Sequence, residues 1–146
     1  MGMFTDYAEN KLVDALFRGQ PLGAPATWYV GLLTAAPGEG GGGTEVSGGS
    51  YARVAVTASL ANFAGTQGAG TTVASNGSGG TTSNNGTITF PAPTANWGSI
   101  THFVLFDAPT GGNAWVYGAL STAKTVNNGD AAPVFNAAAL SLQVDN

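Results

Sequence analysis

The 146-residue sequence has no cysteine, so neither disulfides nor thiolate-bound metal can hold it together. It has a single histidine, His102, and a transition-metal site would therefore have to be dominated by carboxylates. Charge is scarce as well. Asp, Glu, Lys and Arg make up 8 % of the chain, against roughly a quarter in an ordinary soluble domain. Four cations face eight acids for a net charge of -4, and with no cationic cluster to neutralise phosphates a nucleic-acid partner is not expected. No run approaches about eighteen apolar residues, so membrane insertion by a spanning helix is not expected either. The start, MGMFTDYAENK, lacks the basic region and apolar run of a secretion signal, and Asp6 stands where a myristoylation motif would need Ser or Thr.

What the chain does contain is 23 glycines and a set of short apolar runs between them. Its length suits one domain, 1–146, with a single core. DYAENKLVDALFRG reads as a helix over 5–19: Thr5 or Asp6 caps it, Asp6 and Glu9 have capping-box spacing, and Gly19 with Pro21 ends it. Ala8, Leu12, Ala15 and Leu16 form one apolar stripe, which needs a partner because so short a helix is marginal alone. That partner is either a sheet of the same subunit, TWYVGLL being the nearest strand, or a neighbouring molecule.

Strands are expected at TWYVGLL, YARVAVTASL, TITFP, ITHFVLFD, AWVYGAL and AALSLQVD, the last with Leu140, Leu142 and Val144 on one face and Ser141, Gln143 and Asp145 on the other. Residues 35–50 and 65–86, rich in Gly, Ser and Asn, read as flexible surface loops, with TTVAS a short edge strand inside the second. The expected fold is mainly β, an antiparallel β-sandwich with one N-terminal α-helix, and the pattern leaves a Greek-key or jelly-roll-like topology open.

No chemical constellation emerges. His102 sits in the strand-like THFVLFD and reads as a structural histidine at the core margin. Glu39, Glu45, Asp107 and Asp130 fall in or beside loops; oxygen ligands of this kind suit calcium, but the twelve-residue calcium loop is absent. GEGGGGTEV has neither the dinucleotide fingerprint nor a phosphate-loop lysine. Trp28, Tyr29, Trp97, Trp115 and Tyr117 read as β-core, with a sugar-stacking surface the competing reading. No catalytic residue, cofactor or metal is assigned.

The ordered combination of ATWYVGLLTAAP, EVSGGSYAR, NWGSITHFVLFDAPTGGNAWVYGAL and KTVNNGD resembles a family of small tailed-bacteriophage virion proteins, commonly described as tail-fibre or minor structural proteins. The resemblance implies a noncatalytic component of a tail, neck or fibre, made in the host cytoplasm and assembled into the virion. Its partners would be copies of itself and other virion proteins. A capsid decoration protein and a carbohydrate-binding tail module that takes a host-surface glycan are the alternatives. Carried onto this chain, the shared motifs imply that Glu45 and Arg53 order the glycine passage through an ion pair and that Tyr51 begins the strand receiving it. They also place Asn96 and Trp97 at the turn before the central hairpin, and Asp107 with Gly111 at the turn inside it. Leu12, Leu16 and Trp115 complete the candidate structural or contact residues.

Overall fold

The computed structural model describes residues 2–144. Its centre is made by the three longest runs of strand-forming residues: β2 (Thr27–Ala35), β7 (Gly98–Phe106) and β8 (Ala114–Val126). They pair antiparallel, Tyr29 opposite Phe106 and Leu33 opposite His102, then Val104 opposite Tyr117. Shorter strands extend this sheet. On the outer side of β2 lie β3 (Thr44–Glu45) and β4 (Val54–Thr57), and beyond β8 come β1 (Gly2–Phe4), β10 (Ser141–Gln143) and β5 (Thr81–Ser83). All these pairings are antiparallel except β1 with β10, which is parallel.

A second layer comes from β6 (Ile88–Thr89) paired with β9 (Val134–Phe135). The Phe135 ring meets Phe90 and Phe103 edge-on, with centroids 6.2 and 6.1 Å apart. The core these layers enclose includes Val30, Leu32, Ile88, Phe90, Trp97, Phe103 and Leu105. Burial of each such side chain contributes about 1.5–3 kcal/mol. The other face of the large sheet buries a smaller cluster, Leu33, Val104 and Tyr117. The molecule is thus mainly β, with antiparallel strands in a sandwich-like arrangement and one N-terminal helix, α1 (Asp6–Phe17), among the described residues.

A bulge directs one aromatic. Ala114 pairs with Phe106 and Val116 with Leu105, so Trp115 is an extra residue in β8. An extra residue of this kind bends the strand and re-aims its side chain. Trp115 is buried, edge-on to Trp28 and to Tyr7 of the helix at 5.6 and 5.4 Å.

Helix α1 begins at Thr5, whose Oγ1 accepts from the Ala8 N–H and donates to the Ala114 carbonyl. The capping residue is therefore Thr5, and its Oγ1 reaches Ala8; no hydrogen bond closes an Asp6–Glu9 box. The backbone N–H of Asp6 instead donates to the Glu39 carbonyl at 2.8 Å. The helix rests on β8 rather than on the expected β2, because Thr5 is bonded to the backbone at Ala114 and Trp115.

Other expectations shift. TTVAS forms no strand; the edge strand of that region is β5, ten residues later, where Thr81–Ser83 pairs with Ser141–Gln143. Segment 65–86 is laced by side-chain hydrogen bonds rather than apolar packing. Asn85 Nδ2 donates to the carbonyls of Ala61 and Thr71, and Gly70 N–H donates back to Asn85 Oδ1. In the last strand Leu140 is buried and Leu142 partly so, while Val144 is exposed; Asp145 lies outside the described residues.

Asn84, only 1 % exposed, joins the two ends of this region. Its Nδ2 donates to the carbonyls of Gly86 and Asn136, and its Oδ1 accepts from the Leu140 N–H. Removing it would strand the buried Leu140 N–H and leave two partly buried carbonyls without this donor, a buried group left unpaired costing about 1–3 kcal/mol. Asn84→Ala is expected to lower the urea midpoint by an amount equivalent to about 2–4 kcal/mol with an unchanged slope, and a loss under about 0.5 kcal/mol, the scale of a neutral surface substitution, would show that the amide carries no such role.

Candidate functional site: an arginine clasp and an outward helix face

Two features stand apart from the general packing. The first is a polar clasp on the sheet. Arg53, just ahead of β4, has a side chain only 7 % exposed, and a buried cation persists only when paired and hydrogen-bonded. Its Nε and Nη2 donate to the two oxygens of Glu45 in β3, each at 2.8 Å, a bidentate pair. Its Nη1 donates to the carbonyls of Ala108 and Gly111 in the β7–β8 turn, at 2.7 and 2.8 Å. The guanidinium lies 3.3 Å from the centroid of the Phe106 ring, a stacked cation–π contact.

Tyr51 closes the arrangement. Its hydroxyl donates to Glu45 Oε1 at 2.8 Å and accepts from the Leu32 N–H at 2.9 Å. Burial pushes this hydroxyl far above the ordinary tyrosine range, and the neighbouring Glu45 carboxylate adds to the shift, so it stays protonated as the donor. Tyr51 does not open the strand: β4 starts at Val54, and Tyr51 acts from the approach to it. Space for the clasp comes from Gly31. A Cβ there would stand 3.0 Å from Glu45 Oε1 and 3.1 Å from both Phe106 Cε2 and the Tyr51 hydroxyl.

The clasp and its surroundings hold the passage 35–50. Val46 N–H donates to the Leu32 carbonyl beyond β3, and the Trp97 indole donates to the Gly49 carbonyl at 2.9 Å. Asn96 Oδ1 accepts from the Asn128 N–H, tying the turn before β7 to the turn after β8. Within the hairpin, Asp107 Oδ1 accepts from the Asn113 N–H, and Oδ2 accepts from Asn113 Nδ2 and the Trp115 indole. Desolvation alone would raise the Asp107 pKa, but these donors outweigh it and hold the carboxyl below the usual aspartate value. His102 pairs with the adjacent Thr101 hydroxyl, Nδ1 to Oγ1 at 2.8 Å.

The second feature is the far half of α1. Leu12 is half-buried, but Val13, Leu16 and Phe17 are 49, 70 and 81 % exposed. At 3.6 residues per turn, Phe17 stands about 180° and Val13 about 140° from the buried Ala8. The expected single stripe through Leu16 is thus two faces: Ala8, Leu12 and Ala15 lean toward the sheet, and Val13, Leu16 and Phe17 lean away. Periodicity counted Leu16 with the inward set because it lies only about 80° from Ala8. The outward face was legible from the sequence only as Val13 and Phe17 falling off that stripe.

Among the described residues, no group of His, Cys, Asp and Glu is arranged to hold a metal ion, and no helix is long and apolar enough to cross a membrane. Of the five aromatics weighed for a sugar surface, Trp97, Trp115 and Tyr117 are buried and Trp28 and Tyr29 half-buried. The arrangement is that of a structural β-domain: side chains spent on fixing loops, and an apolar helix end left outside. Residues 3–143 match the family described as Podophage GP4 fiber I protein gp80, and the chain belongs to that family. A search of curated proteins finds no match.

Arg53→Lys keeps the charge but loses the fork and the stack; it is expected to destabilise the fold by about 2–4 kcal/mol in chemical unfolding, and Arg53→Ala by about 3–5 kcal/mol, since Glu45 and two turn carbonyls lose their donors. A loss below about 0.5 kcal/mol for both would contradict the clasp. For Asp107 the folded pKa lies below the unfolded one, near 3.9, so its contribution is complete above that value and is lost as pH falls through the folded pKa. The stability gap between wild type and Asp107→Asn is therefore expected to be constant above about pH 5 and to shrink between about pH 4 and the lower folded value; a pH-independent gap would contradict it.

Proposed function

We propose that this chain is a noncatalytic fibre-type structural component of a phage virion, and that the distal half of α1 makes its contacts with copies of itself or other virion proteins. The observation that carries the reading is the outward face of Val13, Leu16 and Phe17 on a member of a fibre-protein family. A short helix with apolar residues on opposite faces gains nothing from leaving one in water. The low charge supports the same reading, because a net charge of -4 with only 8 % charged residues repels neighbouring copies weakly. The buried state of Trp97, Trp115 and Tyr117 weighs against those three rings as a sugar-stacking surface, while Trp28 and Tyr29 are half-buried.

Val13→Ser, Leu16→Ser and Phe17→Ser combined are expected to leave the melting temperature within a few degrees of wild type, because exposed substitutions change stability by about 0.5 kcal/mol or less each. The same variant, supplied to phage that lack the wild-type chain, is expected to be missing from purified particles. Immunogold labelling of wild-type particles should mark tail fibres. Label confined to heads would favour a decoration role, and cell or glycan binding by the free protein would favour the receptor alternative.

A further inference from the structure

An apolar groove of about 310 Å³ opens on the large sheet at the end away from β3. Phe4, Trp28, Leu105, Val116, Leu142 and Val144 line it, and the turn at Ala58 and Ser59 forms one bank. Its size is at the low end of the roughly 300–1,000 Å³ of ligand sites, room for one or two apolar side chains. The outward face of α1 carries side chains of that kind. Phe17 cannot fill the groove of its own molecule: Phe4 lines the groove, α1 starts two residues later with Ala8 against the sheet, and Phe17 points the opposite way.

We propose that Phe17, with Leu16, seats in this groove on a second copy of the chain, making a head-to-tail contact. The proposal rests on the reading that α1 is the contact element, and it names what α1 touches. Area favours this arrangement over a symmetric helix-to-helix pair. An aromatic side chain brings about 150–250 Å², so Val13, Leu16 and Phe17 together offer roughly 400 Å². A stable interface needs about 800 Å² per partner. Two helices meeting across a two-fold axis would each bury only their own tip and leave both grooves wet. In a head-to-tail array each interior copy covers both its tip and its groove, at two separate contacts, and each contact has the small area of an association that forms with rising concentration rather than of a permanent pair. Such a contact is heterologous and generates a ring or a filament.

The test uses two complementary variants of the full chain, followed by light scattering at rising micromolar concentration. Phe17→Asp removes the knob, and Ala58→Trp fills the groove from an exposed position; Ala58→Arg is the second groove variant should the first fail to fold. Each alone is expected to be a folded monomer where wild type associates. Mixed, they should form a one-to-one complex and nothing larger, because the mixture holds one intact knob and one intact groove. If the groove variants associate like wild type while Phe17→Asp does not, the groove is not the receptor and this inference fails, though α1 remains the contact. If all variants associate alike, both readings fail. If wild type stays monomeric, self-association fails, and particle incorporation of the triple serine variant then decides whether α1 meets a different virion protein.

Discussion

The pairing of Arg53 with Glu45, capped by Tyr51 and stacked on Phe106, is the constraint on which the irregular half of the sheet depends. Glycine-rich segments lose the most backbone freedom on ordering, and two of them flank this clasp: the passage before Tyr51 and the turn between β7 and β8. One guanidinium reaches both, through Glu45 in the first and the carbonyls of Ala108 and Gly111 in the second. Removing a buried charge from water is costly. Here the cost is offset because Arg53 donates to four acceptors and rests on an aromatic face.

Polar lacing of this kind recurs. Asn84 holds the end of β5 against the segment before β10, Asp107 gathers Asn113 and Trp115, and Trp97 donates to Gly49. Each uses a side-chain group to pair a backbone or loop atom, and at Asn84 the Leu140 N–H so paired is buried. The loops are fixed by the chain itself, which leaves the helix end as the apolar surface most in need of a neighbour. On the proposed reading folding and assembly are separable: substitutions at Val13, Leu16 and Phe17 would touch the second and leave the first to the clasp and the core.

The central hairpin and β2 were legible because long apolar runs bounded by Gly, Pro and Asn allow few other readings, and the helix was legible from its cap region and its terminal Gly19. Strand β1 was not. GMF is too short to show a period, and it becomes a strand by pairing with Tyr117 and its neighbours in β8. TTVAS has better strand propensity than the glycine-flanked residues 81–83, yet the latter form β5 because Asn84 and β10 lie beside them; tertiary context overrides a weak local preference. At the clasp, the residues implied by the resemblance come together, but the part of Gly31 could not be read from sequence, since it is a vacancy among side chains distant along the chain. The bulge that buries Trp115 leaves no trace in the sequence pattern.

The most direct measurement of the clasp is native-state amide hydrogen exchange on Arg53→Met compared with wild type. If one guanidinium couples the two glycine-rich segments, protection falls together at Val46 and at Asn113, on opposite sides of the clasp, while Leu140, held by Asn84, changes only by the global loss of stability. Equal loss at all three amides, or loss on one side of the clasp alone, would contradict the account.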